Sequence, residues 1–182
     1  MINIRFKNDN VKYKYSPDTI ALFAAFCIFL STVEYLIPKP VPFFRLGLAN
    51  LPIIISLIVF RPKDTILLVI LKIFGQGLIT GTLFSYIFLF SAAGSIASGV
   101  VMLVSILLLR SAVSLIGVSI AGALASNLVQ LFFARIFIFG NSVKYIAPPL
   151  LIMGFISAII LGFLAEKFIK RSNWLESRLE IC

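Results

Sequence analysis

The chain contains no histidine. That removes imidazole from each of its usual roles: general base, proton shuttle and metal ligand. Cysteine is nearly absent. Cys27 lies in an apolar run and Cys182 is the last residue, which makes neither a disulfide framework nor a zinc site. Acidic residues number seven: Asp9, Asp18, Glu34, Asp64, Glu166, Glu176 and Glu180. No two of them are close together within an apolar span, and there is no DDxxD cluster to hold Mg²⁺ through hard oxygen ligands. The G-x-x-x-x-G-K-[ST] nucleotide loop and the G-x-S-x-G nucleophile elbow are both missing. Gly75-x-Gly77 with Gly81 follows no strand, so it reads as a frayed helix end and not as a phosphate loop. These residues predict no catalytic group, no metal and no cofactor. They point to binding and away from bond making.

What the chain does have is apolar surface. Of 182 residues, 60% are hydrophobic, and the mean hydropathy is +1.09, far above soluble usage. Strands of about ten residues with alternating polarity, the mark of a membrane barrel, do not occur. The expected fold is therefore all-α, a polytopic membrane protein with six transmembrane helices. Its net charge of +9 sits mostly in flanks and loops, so it predicts topology and not a nucleic-acid partner. The first eighteen residues are polar and of mixed charge, so insertion is expected to rest on the first apolar helix and not on a cleaved leader.

Prolines and glycines punctuate the chain. Residues 1–18 read as a basic cytoplasmic tail, 19–170 as the membrane domain and 171–182 as a second cytoplasmic tail. The first span runs from about Thr19 to Leu36. Pro38, Pro40 and Pro42 then enforce a stiff extended loop. Further spans are predicted over Leu46–Phe60, Asp64–Ile79, Leu83–Leu109, Leu115–Phe139 and Tyr145–Phe168. Six spans put both termini on one side. The segments on that side carry eleven Lys and Arg residues, the opposite loops carry Lys39, Arg45 and Lys144, and Lys72 and Arg135 lie within spans. Excess cationic residues stay in the cytoplasm, which places both termini there, in the cell membrane.

The stretch Leu115–Phe139 looks like the organiser. It has rows of small residues, Gly117-Ala121-Ala125 and Gly122-Ser126, which let helices approach closely in lipid. It also carries Asn127, Gln130 and Arg135. At about 100° per residue, Asn127 and Gln130 lie some 60° apart and Arg135 about 80° to the other side, so all three fit one broad inward face. On the predicted topology these three join Glu34, Arg45, Asn50, Lys72 and Gln76 between the midplane and the outer surface. Costly polar groups at membrane depth face protein or a water-filled cavity. The eight are therefore candidate substrate-binding residues in a pocket open to the outside. Pairing of Glu34 with Arg45 or Arg135, and snorkelling of long side chains, is the plainer alternative. Three cations against one carboxylate predict a small anionic ligand. Phe43, Phe44, Phe132 and Tyr145 are candidates to flank an aromatic ring.

Several short motifs, in order, resemble a known family. They are Leu46-Gly47-Leu48-Ala49-Asn50, Gly81-Thr82-Leu83-Phe84-Ser85, the small stretch Ser91–Ser98, and Ser119-Ile120-Ala121-Gly122-Ala123 with Asn127 and Gln130. Over about Thr19–Lys170 the chain is similar to the Gx transporter family, also labelled heptaprenyl diphosphate synthase component I. That family is itself similar to the substrate-binding (S) components of energy-coupling factor (ECF) vitamin transporters. A His that often precedes the family's helix 5 Asn is Ser126 here. The resemblance implies a six-helix subunit that binds a vitamin-like small molecule under a lid after the first helix. It implies docking, through Ala21 and Ala25, onto a membrane coupling subunit driven by two ATPase subunits. The other label implies a non-catalytic membrane partner in prenyl-chain synthesis.

Overall fold

The computed structural model describes residues 17–37, 46–109 and 114–172, and these form six α-helices with no strand among them. They are α1 (Pro17–Leu36), α2 (Leu51–Val59), α3 (Pro62–Ile79), α4 (Tyr86–Leu109), α5 (Leu115–Ala134) and α6 (Val143–Arg171). A 3-10 turn, Leu48–Asn50, leads into α2. A π-helical turn, Arg135–Phe139, and a 3-10 turn, Gly140–Ser142, join α5 to α6. Three stretches are long and apolar enough to cross a membrane: α1, α4, and the Leu115–Arg171 stretch that holds both α5 and α6.

Packing pairs show how successive helices run. Phe23 meets Phe60 while Glu34 meets Gly47 and Leu48, so α1 and α2 are antiparallel. Thr65 reaches the Ser56 carbonyl and Lys72 reaches Asn50, so α2 and α3 are antiparallel too. Gly99 packs on Val69 and Gly77 on Phe88, then Gly94 on Gln130 and Gly122 on Met102, then Gly154 on Asn127 and Gly162 on Ile116. In each pair of helices, rising residue numbers on one meet falling numbers on the next. The chain thus goes up and down through the bundle, and the turn at Gly140 reverses it; Gly140 there adopts a positive φ of 53°.

The hub of the bundle is α2, not α5. It touches α1, α3, α4, α5 and α6, and Pro52, Ile53, Ile54, Ile55, Ser56, Leu57 and Val59 are all buried. A helix that is apolar all round belongs in a core. Hydropathy cannot separate a central helix from a lipid-facing one, because both are apolar. With its 3-10 turn α2 runs for roughly 18 Å, well short of an apolar layer of about 30 Å. Its first turn therefore ends inside the bundle, and this opens the site.

α5 packs mainly on α4, where Gly122 meets Met102 and Ser126 meets Gly94, and on α6, where Ile116 meets Gly162 and Asn127 meets Gly154. α3 ends at Ile79, as expected, and stays helical through Gly75 and Gly77. Both glycines serve close packing, because a Cβ at Gly75 would overlap Ile28 and one at Gly77 would come within 2.7 Å of Phe88. The alanine pair on α1 is not packed inside the bundle. Phe23, Ala24, Cys27, Ser31 and Glu34 face inward, whereas Ala21 and Ala25 are exposed beside Leu22, Phe26 and Phe29.

Candidate functional site

Where α2 starts, a small open cavity with several polar lining residues lies among mostly apolar helices. One wall comes from the first half of the chain: Glu34 on α1, Gly47 and Asn50 at the entry to α2, and Lys72 on α3. The other comes from the second half: Ser95 on α4, Ser126 and Asn127 on α5, and Gly154 and Ser157 on α6.

The first wall is a charged lattice. The carboxylate of buried Glu34 accepts the Gly47 N–H at 3.2 Å and the Leu48 N–H at 2.9 Å. These are the donors that a helical turn leaves unsatisfied at its start, so Glu34 caps α2 from another helix. Gly47 holds φ at 82°, a left-handed conformation that side chains other than glycine's strain to adopt, and this aims its N–H at the carboxylate. Asn50 does not cap its own helix; its Oδ1 accepts from Lys72 Nζ at 2.6 Å. Lys72 is only 3% exposed. A buried ammonium in a membrane helix is costly, and the Asn50 bond offsets part of that cost. Glu34→Ala is expected to destabilise the purified protein by roughly 1–3 kcal/mol, since it strips buried N–H groups of their acceptor. A melting curve unchanged from wild type would show that Glu34 does not hold the α2 entry.

The second wall is neutral. Asn127 is 3% exposed, and its Nδ2 has no hydrogen-bond partner among the described residues. Gly154 makes room for it, since a Cβ there would overlap Nδ2. Gln130 Nε2 donates to Ser126 Oγ at 3.0 Å, and Gln130 Oε1 is buried without a partner among the described residues. Ser157 donates to the Gly154 carbonyl.

Of the eight residues predicted as binding groups, the cavity gathers Glu34, Asn50, Lys72 and Asn127. Gln76 is buried one turn along α3 from Lys72 but does not line it. Gln130 supports Ser126 from behind. Arg135 is exposed where α5 gives way to the π-helical turn, outside the lining. Its helical angle allowed an inward position, but a long side chain in the last turn can carry its charge outward. Arg45, Phe43, Phe44 and the proline-rich loop lie outside the described residues. Phe132 and Tyr145 are exposed and do not flank the cavity. Among the described lining residues the charges are thus one ammonium and one carboxylate, not a cationic excess. Sequence reasoning missed Ser95, Ser126, Gly154 and Ser157 as site residues, because small residues in membrane helices read as packing. The one usable signal was that Ser126 adjoins Asn127.

A family model described as "Heptaprenyl diphosphate synthase component I" matches residues 23–168, from the first helix to the end of the last. No curated protein and no solved structure matches the chain.

Proposed function

The chain belongs to the heptaprenyl diphosphate synthase component I family, and from that premise and its cavity we propose that it is a non-catalytic, substrate-capturing membrane subunit. It crosses the cell membrane six times with both termini in the cytoplasm. It takes a small vitamin- or cofactor-like molecule from outside, as the S component of an ECF-type importer. A membrane coupling subunit and two ATPase subunits supply the energy, since the chain has no nucleotide loop of its own. The observation that carries this reading is the cavity, where a buried lysine lines one wall and, on the other, a buried asparagine whose Nδ2 has no hydrogen-bond partner among the described residues. Leaving such groups without a binding task costs stability. The antiparallel order of six helices and the cationic bias toward the terminal side support the topology.

A second reading follows from the family's description: a membrane partner in heptaprenyl diphosphate synthesis. The two readings separate in one assay. The purified protein, added to a soluble prenyl synthase, is expected to leave its rate unchanged; a clear stimulation would favour the second reading. Within the first reading, Lys72→Met is expected to weaken ligand binding by on the order of 1–3 kcal/mol, because it removes a buried charged donor and strands Asn50. Equal binding by wild type and variant would remove Lys72 from the site.

A further inference from the structure

We infer that Glu34 and Gly47 are positioning residues for Lys72: through the α2 entry turn and Asn50, they hold its ammonium in place at the cavity. The inference rests on the capture reading, in which Lys72 is a binding group, and adds what aims that group.

A run of hydrogen bonds connects the three. Glu34, near the end of α1, accepts the Gly47 N–H at 3.2 Å through Oε1 and the Leu48 N–H at 2.9 Å through Oε2. The Gly47 carbonyl accepts the Asn50 N–H at 2.8 Å, which closes the turn. Asn50 Oδ1 then accepts from Lys72 Nζ, on α3, at 2.6 Å. Gly47 is thus gripped at both of its backbone polar groups, by Glu34 on one side and by Asn50 on the other. Glu34 and Lys72 are 4% and 3% exposed, so both ends of the run are shielded from bulk water.

The chemistry of each member fits a positioning task. A carboxylate has an acceptor on each oxygen and can hold two successive N–H groups at once. Two points of attachment fix the rotation of the turn as well as its place. Gly47 sits at a φ of 82°, where other side chains are strained, and a Cβ there would also stand 3.3 Å from Asn50 Nδ2. The Asn50 amide is therefore bounded by Gly47 on its nitrogen side while its oxygen faces Lys72. That orientation is the one Lys72 demands, because an ammonium only donates and needs an acceptor oxygen. Lysine also needs a guide of this kind. Its stem is long and rotatable, and left alone it carries its charge toward water.

A plain helix cap would do less. If Glu34 only stabilised α2, any comparable loss of stability in that helix would disturb Lys72 equally. The test therefore follows the Lys72 ammonium itself, by NMR of the full chain in detergent with isotope-labelled lysine. A buried, hydrogen-bonded ammonium exchanges its protons slowly, so its signal persists where those of exposed lysines vanish; Lys72→Met assigns it by its loss. Glu34→Ala and Gly47→Ala are expected to speed that exchange at least about tenfold, the equivalent of losing one hydrogen bond to a charged group. Glu34→Gln keeps one acceptor oxygen and is expected to fall between; it decides the matter where the harsher variants fail to fold. Ile54→Ala, in the fully buried middle of α2, is expected to lower the melting temperature and leave the exchange rate at its wild-type value. Exchange as slow in the folded Glu34 and Gly47 variants as in wild type would overturn the inference. So would an Ile54→Ala protein that speeds exchange as much as Glu34→Ala, since Glu34 would then be a cap and nothing more. A wild-type signal already lost to fast exchange would overturn it too. None of these outcomes decides capture, which rests on the mass of whatever co-purifies.

Discussion

Gly154→Ala is expected to abolish ligand retention while leaving the helical bundle assembled. The new Cβ would overlap Asn127 Nδ2, so the Asn127 side chain would have to leave its place beside the cavity. Overpacking of this kind costs roughly 1–3 kcal/mol, equivalent to about tenfold to a hundredfold in affinity when the site alone absorbs it. Gly162→Ala supplies the contrast. It lies two turns along the same face of α6, but there a Cβ would stand 2.6 Å from the Ile116 Cα, which is backbone and cannot rotate away. That variant is expected to lose thermal stability and yield first. Measuring melting temperature and bound small molecule for both separates the effects. A Gly154→Ala protein that still carries its ligand would mean that Asn127 is not a binding residue.

Ala21→Trp and Ala25→Trp are expected to abolish uptake in cells without weakening ligand binding by the purified protein. Both alanines are exposed on α1, at the end away from Glu34, and the inward face of that helix is already taken by Phe23, Ala24, Cys27, Ser31 and Glu34. An indole on the outer face would disturb no packing within the chain, so any loss of uptake must come from a partner. Small residues let a neighbouring helix approach closely in lipid, where van der Waals contact and not the hydrophobic effect holds helices together. A bulky ring would hold that helix off. Uptake that survives in both variants would show that this strip faces lipid only.

Much of the architecture was legible because proline, glycine and charge mark where apolar runs stop. Pro17, Pro62 and Gly140 place helix ends to within a few residues of those observed. The site was legible in part. Glu34, Asn50, Lys72 and Asn127 stood out because a polar side chain in an apolar span needs a reason, and all four line one cavity. Three properties were not legible. Centrality of α2 was hidden, since Ile53, Ile54 and Ile55 would read the same facing lipid as facing protein. The capping role of Glu34 was hidden, since it depends on the left-handed turn at Gly47 thirteen residues away. The destination of Arg135 was hidden, since helical angle fixes the direction of Cβ and not where a long side chain carries its charge. The neutral wall of Ser95, Ser126 and Ser157 was legible only as packing, because hydroxyls and small side chains serve both ends in membrane helices.

The most direct measurement of the central claim is native mass spectrometry of the full chain, released gently from detergent. The account predicts wild-type protein carrying one small molecule, and Lys72→Met and Gly154→Ala proteins of normal stability that arrive without it. Wild-type protein that carries no small molecule while forming a tight complex with a prenyl synthase would contradict it, as would a bound mass that both variants keep.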